Sequence, residues 1–135
     1  ADGLYMKELA ERWLSYADAD RQACNQLIGS PGLESIVAFH SQQTIEKSYK
    51  ALLVYIDENP PRVHDLTRLV SLVMARIDDP TYDANLLARI SQYYTQSRYP
   101  LTIEADGKST PSAEETRAMV DHANRVYEFV KETIY

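Results

Sequence analysis

From Ser35 to Asp57 the chain reads SIVAFHSQQTIEKSYKALLVYID, with neither glycine nor proline inside. Ala38, Ile45, Tyr49, Leu52, Leu53 and Ile56 recur there at intervals of three and four. That spacing predicts one long helix with a broad apolar stripe. The opposite face carries His40, Gln43, Lys47 and Lys50, again three and four apart, between Ile36 and Val54. A helix apolar on one side and mixed on the other belongs in a bundle centre or at an oligomer interface. The polar row reads either as a solvated face or as a surface for a ligand or partner. The two prolines beyond the helix, and then His64-Asp65-Leu66, keep the second reading open.

The rest of the chain has to supply the cover for that helix. At 135 residues it makes one domain with a small but real core. Only four glycines, against many Ala, Leu, Glu, Gln and Arg residues, favour helices throughout. With 44% hydrophobic and 25% charged residues the composition is that of an ordinary globular domain. No window approaches the roughly 18 apolar residues of a membrane span, so no membrane association is expected. The N-terminus lacks a basic region followed by an apolar run, so no signal peptide is expected. The single Cys24 has no partner for an internal disulfide, which fits a reducing cytoplasm. Met6 looks like a natural start. Residues 1–5 are therefore expected to be an added remnant, and residues 6–135 a single helical domain. A net charge of −6 argues against a protein that coats nucleic acid non-specifically, while leaving room for a local basic pocket.

In chain order, Met6 to Ile28 predicts a first helix. Leu9, Trp13, Leu14, Tyr16, Ala17, Ala23, Leu27 and Ile28 form its stripe, and Asp18, Asp20 and Arg21 lie outward. Gly29 suits a left-handed cap at its end. Pro60 and Pro61 close the central helix. A short helix opens at His64-Asp65-Leu66 and runs to about Arg76, burying Leu66, Leu69, Val70, Val73 and Met74. Asp65 reads there as a helix-start residue. A fourth helix spans about Tyr82 to Ser97, with Leu86, Leu87, Ile90, Tyr93 and Tyr94 inward, and Arg98-Tyr99-Pro100 stops it. Leu101 to Ser109 reads as a loop. The last helix starts at Thr110-Pro111, proline being favoured at the first helical position. Ser112 and Glu115 offer an alternative capping box one step on. Its apolar face is Met119, Ala123, Val126, Tyr127, Val130 and Ile134. The expected fold is all-α: an antiparallel up-down bundle of four long helices plus one short helix.

Motifs of bound chemistry are missing. There is no glycine-rich phosphate loop, no Cys or His pair at metal spacing and no Glu-x-x-His of the di-iron bundles, so neither cofactor nor metal is expected. His40, His64 and His122 stand too far apart in sequence to define a site.

Four stretches in order make a pattern: Trp13-Leu14-Ser15-Tyr16-Ala17-Asp18-Ala19-Asp20; Phe39 to Leu53, FHSQQTIEKSYKALL; His64-Asp65-Leu66; and Tyr94-Thr95-Gln96-Ser97-Arg98-Tyr99-Pro100. With this order and spacing the chain resembles the HEPN domain family of prokaryotes over nearly its whole length from Met6. The resemblance implies an all-helical bundle that commonly forms homodimers and a link to nucleotides or RNA. Many members are encoded beside a minimal nucleotidyltransferase and act as toxin–antitoxin pairs. Others are metal-independent ribonucleases built on an arginine and a histidine separated by four to six residues. The arginine expected near the end of the penultimate long helix is Arg98, but positions 103 to 105 hold Ile103, Glu104 and Ala105 rather than histidine. Arg117 and His122 match the spacing inside the last helix. Five residues at roughly 100° each leave those two side chains about 140° apart on one helix.

Two function classes are consistent with these residues. The first is a nucleotide-binding or interaction module, a homodimer that partners a nucleotidyltransferase, with Gln43, Lys47, His64 and Arg98 as the nucleotide-binding residues. Lysine and arginine supply phosphate-binding cations, and histidine donates or accepts near neutral pH. The second is a ribonuclease toxin using Arg98 or Arg117 with His122, the arginine stabilising charge on the phosphate and the histidine moving a proton. The missing histidine after Arg98 favours the first. A scaffold without ligand is the third and plainest reading. The homodimer is also expected from packing, since one bundle core should cover only part of the central helix.

Overall fold

The computed structural model describes residues 3–56, 59–60, 66–98 and 110–135, the side chains of 94–98 excepted. Five helices follow in order: α1 (Gly3–Leu27), α2 (Glu34–Tyr55), α3 (Leu66–Met74), α4 (Ala84–Arg98) and α5 (Ala113–Ile134). Among the described residues there is no strand. His64, Asp65, Pro61 and residues 99–109, where a loop is expected from Leu101 to Ser109, lie outside them.

Each helix ends where its sequence gives it reason to. Gly29 sits at φ +84, the left-handed geometry that lets the chain turn out of α1 without a Cβ penalty. Asp83 caps α4 by accepting the Leu86 amide at 3.0 Å. At the start of α5 the structure selects the capping box and not the proline: Ser112 Oγ accepts the Glu115 amide at 3.0 Å. In return the Ser112 amide reaches Glu115 Oε1 at 3.3 Å. Pro111 therefore precedes the cap and is not the first helical residue.

α1 and α2 run antiparallel, with Cys24 against Val37 and Ser41 at one end and Trp13 under Lys50 at the other. α5 returns antiparallel to α1, so Asn124 bonds Asn25 and Tyr127 lies under Arg21. α4 is antiparallel to α5, its Tyr93 hydroxyl donating to Glu115 near the start of that helix. The result is the expected up-down bundle of four long helices with α3 as the short fifth.

Its centre is α2, which packs against each of the other four helices. Ile45, Tyr49, Leu52 and Leu53 are fully buried in the main core with Leu66, Leu69, Ile90, Val126 and Val130. Burying side chains of this size contributes about 1.5–3 kcal/mol each. The polar side of α2 is buried as well: Ser41, Gln42, Thr44, Glu46, Ser48 and Lys50 are all below a tenth exposed. One chain thus covers most of α2, leaving Ile36 and Tyr55 near its two ends 46% and 40% exposed, so an uncovered middle of that helix no longer calls for a second copy. Three expectations about single residues are corrected. Tyr16 and Met74, expected inward, are 59% and 38% exposed, at the edges of their stripes. Asp20, expected outward, is buried at 9%.

Candidate functional site

The polar row of α2 faces α1, and three rungs cross the seam between them. At the first, Cys24 Sγ lies 3.7 Å from the Val37 carbonyl and 3.5 Å from Ser41 Oγ. Burial pushes that thiol up to about 11, so it stays protonated and inert at neutral pH. At the second, Asp20 of α1 holds two groups of α2 at once: Oδ1 is 2.7 Å from His40 Nδ1 and Oδ2 is 2.7 Å from Lys47 Nζ. At the third, Lys50 Nζ donates to Glu46 Oε2 at 3.1 Å and sits 5.4 Å from the Trp13 ring centre. Gln42 Nε2 donates to the other Glu46 oxygen at 3.3 Å. Glu46 and Lys50 are almost wholly buried, so each charge depends on these partners.

The middle rung is the part of the seam that reaches water. The side chains of His40 and Lys47 are 28% and 26% exposed, whereas that of Asp20 is 11% exposed and lies beneath them. His40 is steadied further by Phe39, whose ring meets it edge-on at 5.2 Å. Of the residues expected to bind a nucleotide, Gln43 and Lys47 lie one turn apart on α2, but only Lys47 reaches water here, Gln43 being buried at 8% exposure. The backbone of Arg98 forms the last residue of α4, but its side chain lies outside the described residues, as does His64.

Asp20 is the functional candidate that the reading of the sequence missed. A signal for it exists. Position 20 is three residues after Ala17 and four before Cys24, on the same buried stripe as Ala10 and Leu14. An acid on such a stripe demands a cationic partner on the facing helix, and α2 offers His40 and Lys47 seven residues apart, two turns along one face.

A second polar group lies between α2 and the α3–α4 turn. The Tyr49 hydroxyl donates to Asp79 Oδ2 at 2.5 Å. Asp79 Oδ1 accepts from both the amide and the hydroxyl of Thr81, at 2.8 and 2.6 Å. Burial, then the neighbouring carboxylate, drives the Tyr49 hydroxyl far above the usual phenol range, so it stays protonated and can donate to Asp79.

The arginine–histidine pair of α5 is split across the bundle. Arg117 is exposed, at the mouth of a pocket of about 120 Å³ between the α1–α2 turn and the start of α5. His122 is fully buried. Neither of its ring nitrogens has a hydrogen-bond partner among the described residues. Burial, helped by Arg125, holds its pKa below the ordinary value, so the ring is neutral at pH 7. Among the described residues no group of His, Cys, Asp and Glu side chains could hold a metal ion. No helix there is long and apolar enough to cross a membrane.

A family model described as HEPN domain matches residues 10–133. No curated protein and no solved structure shows significant similarity to the chain.

Proposed function

The chain belongs to the HEPN domain family, and on that premise we propose that it is a nucleotide-binding or interaction module, the homodimeric partner of a nucleotidyltransferase in a toxin–antitoxin-type pair. The observation that carries this reading over the ribonuclease is the burial of His122. A metal-independent nuclease needs a proton-transfer group within hydrogen-bond reach of the attacking or leaving oxygen. It also needs a cation where charge develops on the phosphate. His122 is the one histidine in the sequence at the nuclease spacing from an arginine, and in the folded bundle no substrate reaches it. After Arg98, positions 103 to 105 offer only Glu104 as a titratable group. An ordinary carboxylate is ionised at pH 7, a poor acid that repels phosphate.

In the binding reading, Gln43, Lys47, His64 and Arg98 contact the ligand. Lys47 and Arg98 meet the phosphates, a guanidinium being able to grip an anion bidentately. Gln43 and His64 supply donors and acceptors. Calorimetry with ATP tests this: the wild type is expected to bind, more weakly as salt rises, and Lys47→Ala to bind less. Equal affinity in both proteins, or no heat in either, counts against the site. Pure protein incubated with single-stranded RNA in chelator is expected to leave it intact. Cleavage abolished by both Arg98→Ala and His122→Ala would establish the nuclease instead.

A further inference from the structure

In the nucleotide-binding reading Lys47 meets a phosphate, yet in the folded chain its ammonium is already engaged by Asp20. The form of that engagement is informative. Asp20 does not pair with one cation. It offers one oxygen to Lys47 Nζ and the other to His40 Nδ1, both at 2.7 Å. Two charge-capable donors spaced to take both oxygens of a carboxylate are equally spaced to take two oxygens of a phosphate, since such a fork of donors suits either anion. The Asp20 side chain is 11% exposed and those of His40 and Lys47 are 28% and 26% exposed, so an anion arriving from solvent meets His40 and Lys47 before Asp20. Gln43 stands between them on the same row of α2 and is buried, at 8% exposure.

We propose that Asp20 is a built-in competitor: it occupies the seat that a phosphate group takes on His40 and Lys47, and the ligand binds by displacing it. This rests on the nucleotide-binding reading and adds its regulation. Displacement is physically accessible from the outer side, because the His40 and Lys47 side chains are partly exposed and a terminal phosphate carries more charge than a carboxylate and more acceptor oxygens; its cost is the Asp20 carboxylate left buried without its partners. A pair serving only to fasten α1 to α2 makes the opposite forecast, because breaking it could then only weaken the protein and whatever it binds.

The test is calorimetry on Asp20→Asn, which keeps the size of the side chain but removes the carboxylate charge that holds Lys47 and the His40 ring. Inorganic tripolyphosphate, ATP and a 5′-phosphorylated RNA oligomer are titrated in parallel, so that the arm showing the gain names the source of the phosphate. Asp20→Asn is expected to bind roughly tenfold more tightly than the wild type, a change of about 1.4 kcal/mol, and Lys47→Ala in the same background to erase the gain. In the wild type, ATP should also shift the ring resonances of His40, a readout that does not depend on the variant folding. Binding lost in Lys47→Ala, with neither a gain in Asp20→Asn nor a His40 shift, overturns the competitor and leaves the nucleotide reading standing. No heat in the wild type and in Asp20→Asn alike overturns both.

Discussion

His122 places an imidazole in the interior with no hydrogen-bond partner for either nitrogen among the described residues, an arrangement that costs stability whenever the ring takes up a proton. Its folded pKa is lowered from 6.5, mainly by burial and then by Arg125. The sign comes from linkage. Above the unfolded value both states are uncharged at this site and the full stability is present. As pH falls through 6.5 toward the folded value, the unfolded chain gains a proton that the folded chain refuses, and stability declines. Thermal unfolding followed from pH 7.5 to 5 is therefore expected to show a falling midpoint. His122→Leu, which cannot titrate, is expected to show a flatter profile over that window, and identical slopes would refute the assignment. At this scale the sequence was only partly legible. The spacing of Arg117 and His122 is visible, but which side of α5 meets the core is fixed by Met119, Ala123 and Val126. Asp20 was missed for a related reason. Acids are placed outward by default, and the default fails where a stripe position faces a lysine and an imidazole on another helix.

Among the elements, α5 shows how local chemistry decides between two legible starts. Thr110-Pro111 and Ser112-x-x-Glu115 both signal a helix N-terminus, and the second prevails because it satisfies two backbone donors where proline only removes one. Ser112→Ala is expected to lower stability by about 1 kcal/mol, measured by urea unfolding. Glu115 does more than cap. It also accepts from Tyr93 at 2.9 Å and pairs with Arg89, so Glu115→Ala is expected to cost more than the serine change. Helix positions and most apolar stripes could be read from periodicity and breakers. The polar face of α2 could not, because periodicity reports where apolar residues lie and is silent on whether polar ones find partners. Glu46 with Lys50, and Asp20 with Lys47 and His40, turn that face into an interior one.

For the whole molecule, the up-down bundle of four long helices and one short helix was legible because long amphipathic helices can share one core only by lying side by side. The homodimer is a separate matter, proposed from the habit of the family and no longer from an uncovered α2. Tyr5 and Tyr16 are 60% and 59% exposed on α1, and eleven residues at roughly 100° each return to nearly the same side. They give a second copy an aromatic surface. Sedimentation at micromolar concentration is expected to show a dimer that Tyr16→Glu weakens, and a wild-type monomer would end the proposal. The encirclement of α2 bears on how the bundle opens. Because α2 packs on every other helix, its amides cannot meet solvent through the loosening of any one neighbour. In native-state hydrogen exchange they should therefore be the slowest in the chain, following the global unfolding free energy. Those of α3, a short helix packed mainly on α2 and α4, should exchange through smaller and earlier openings.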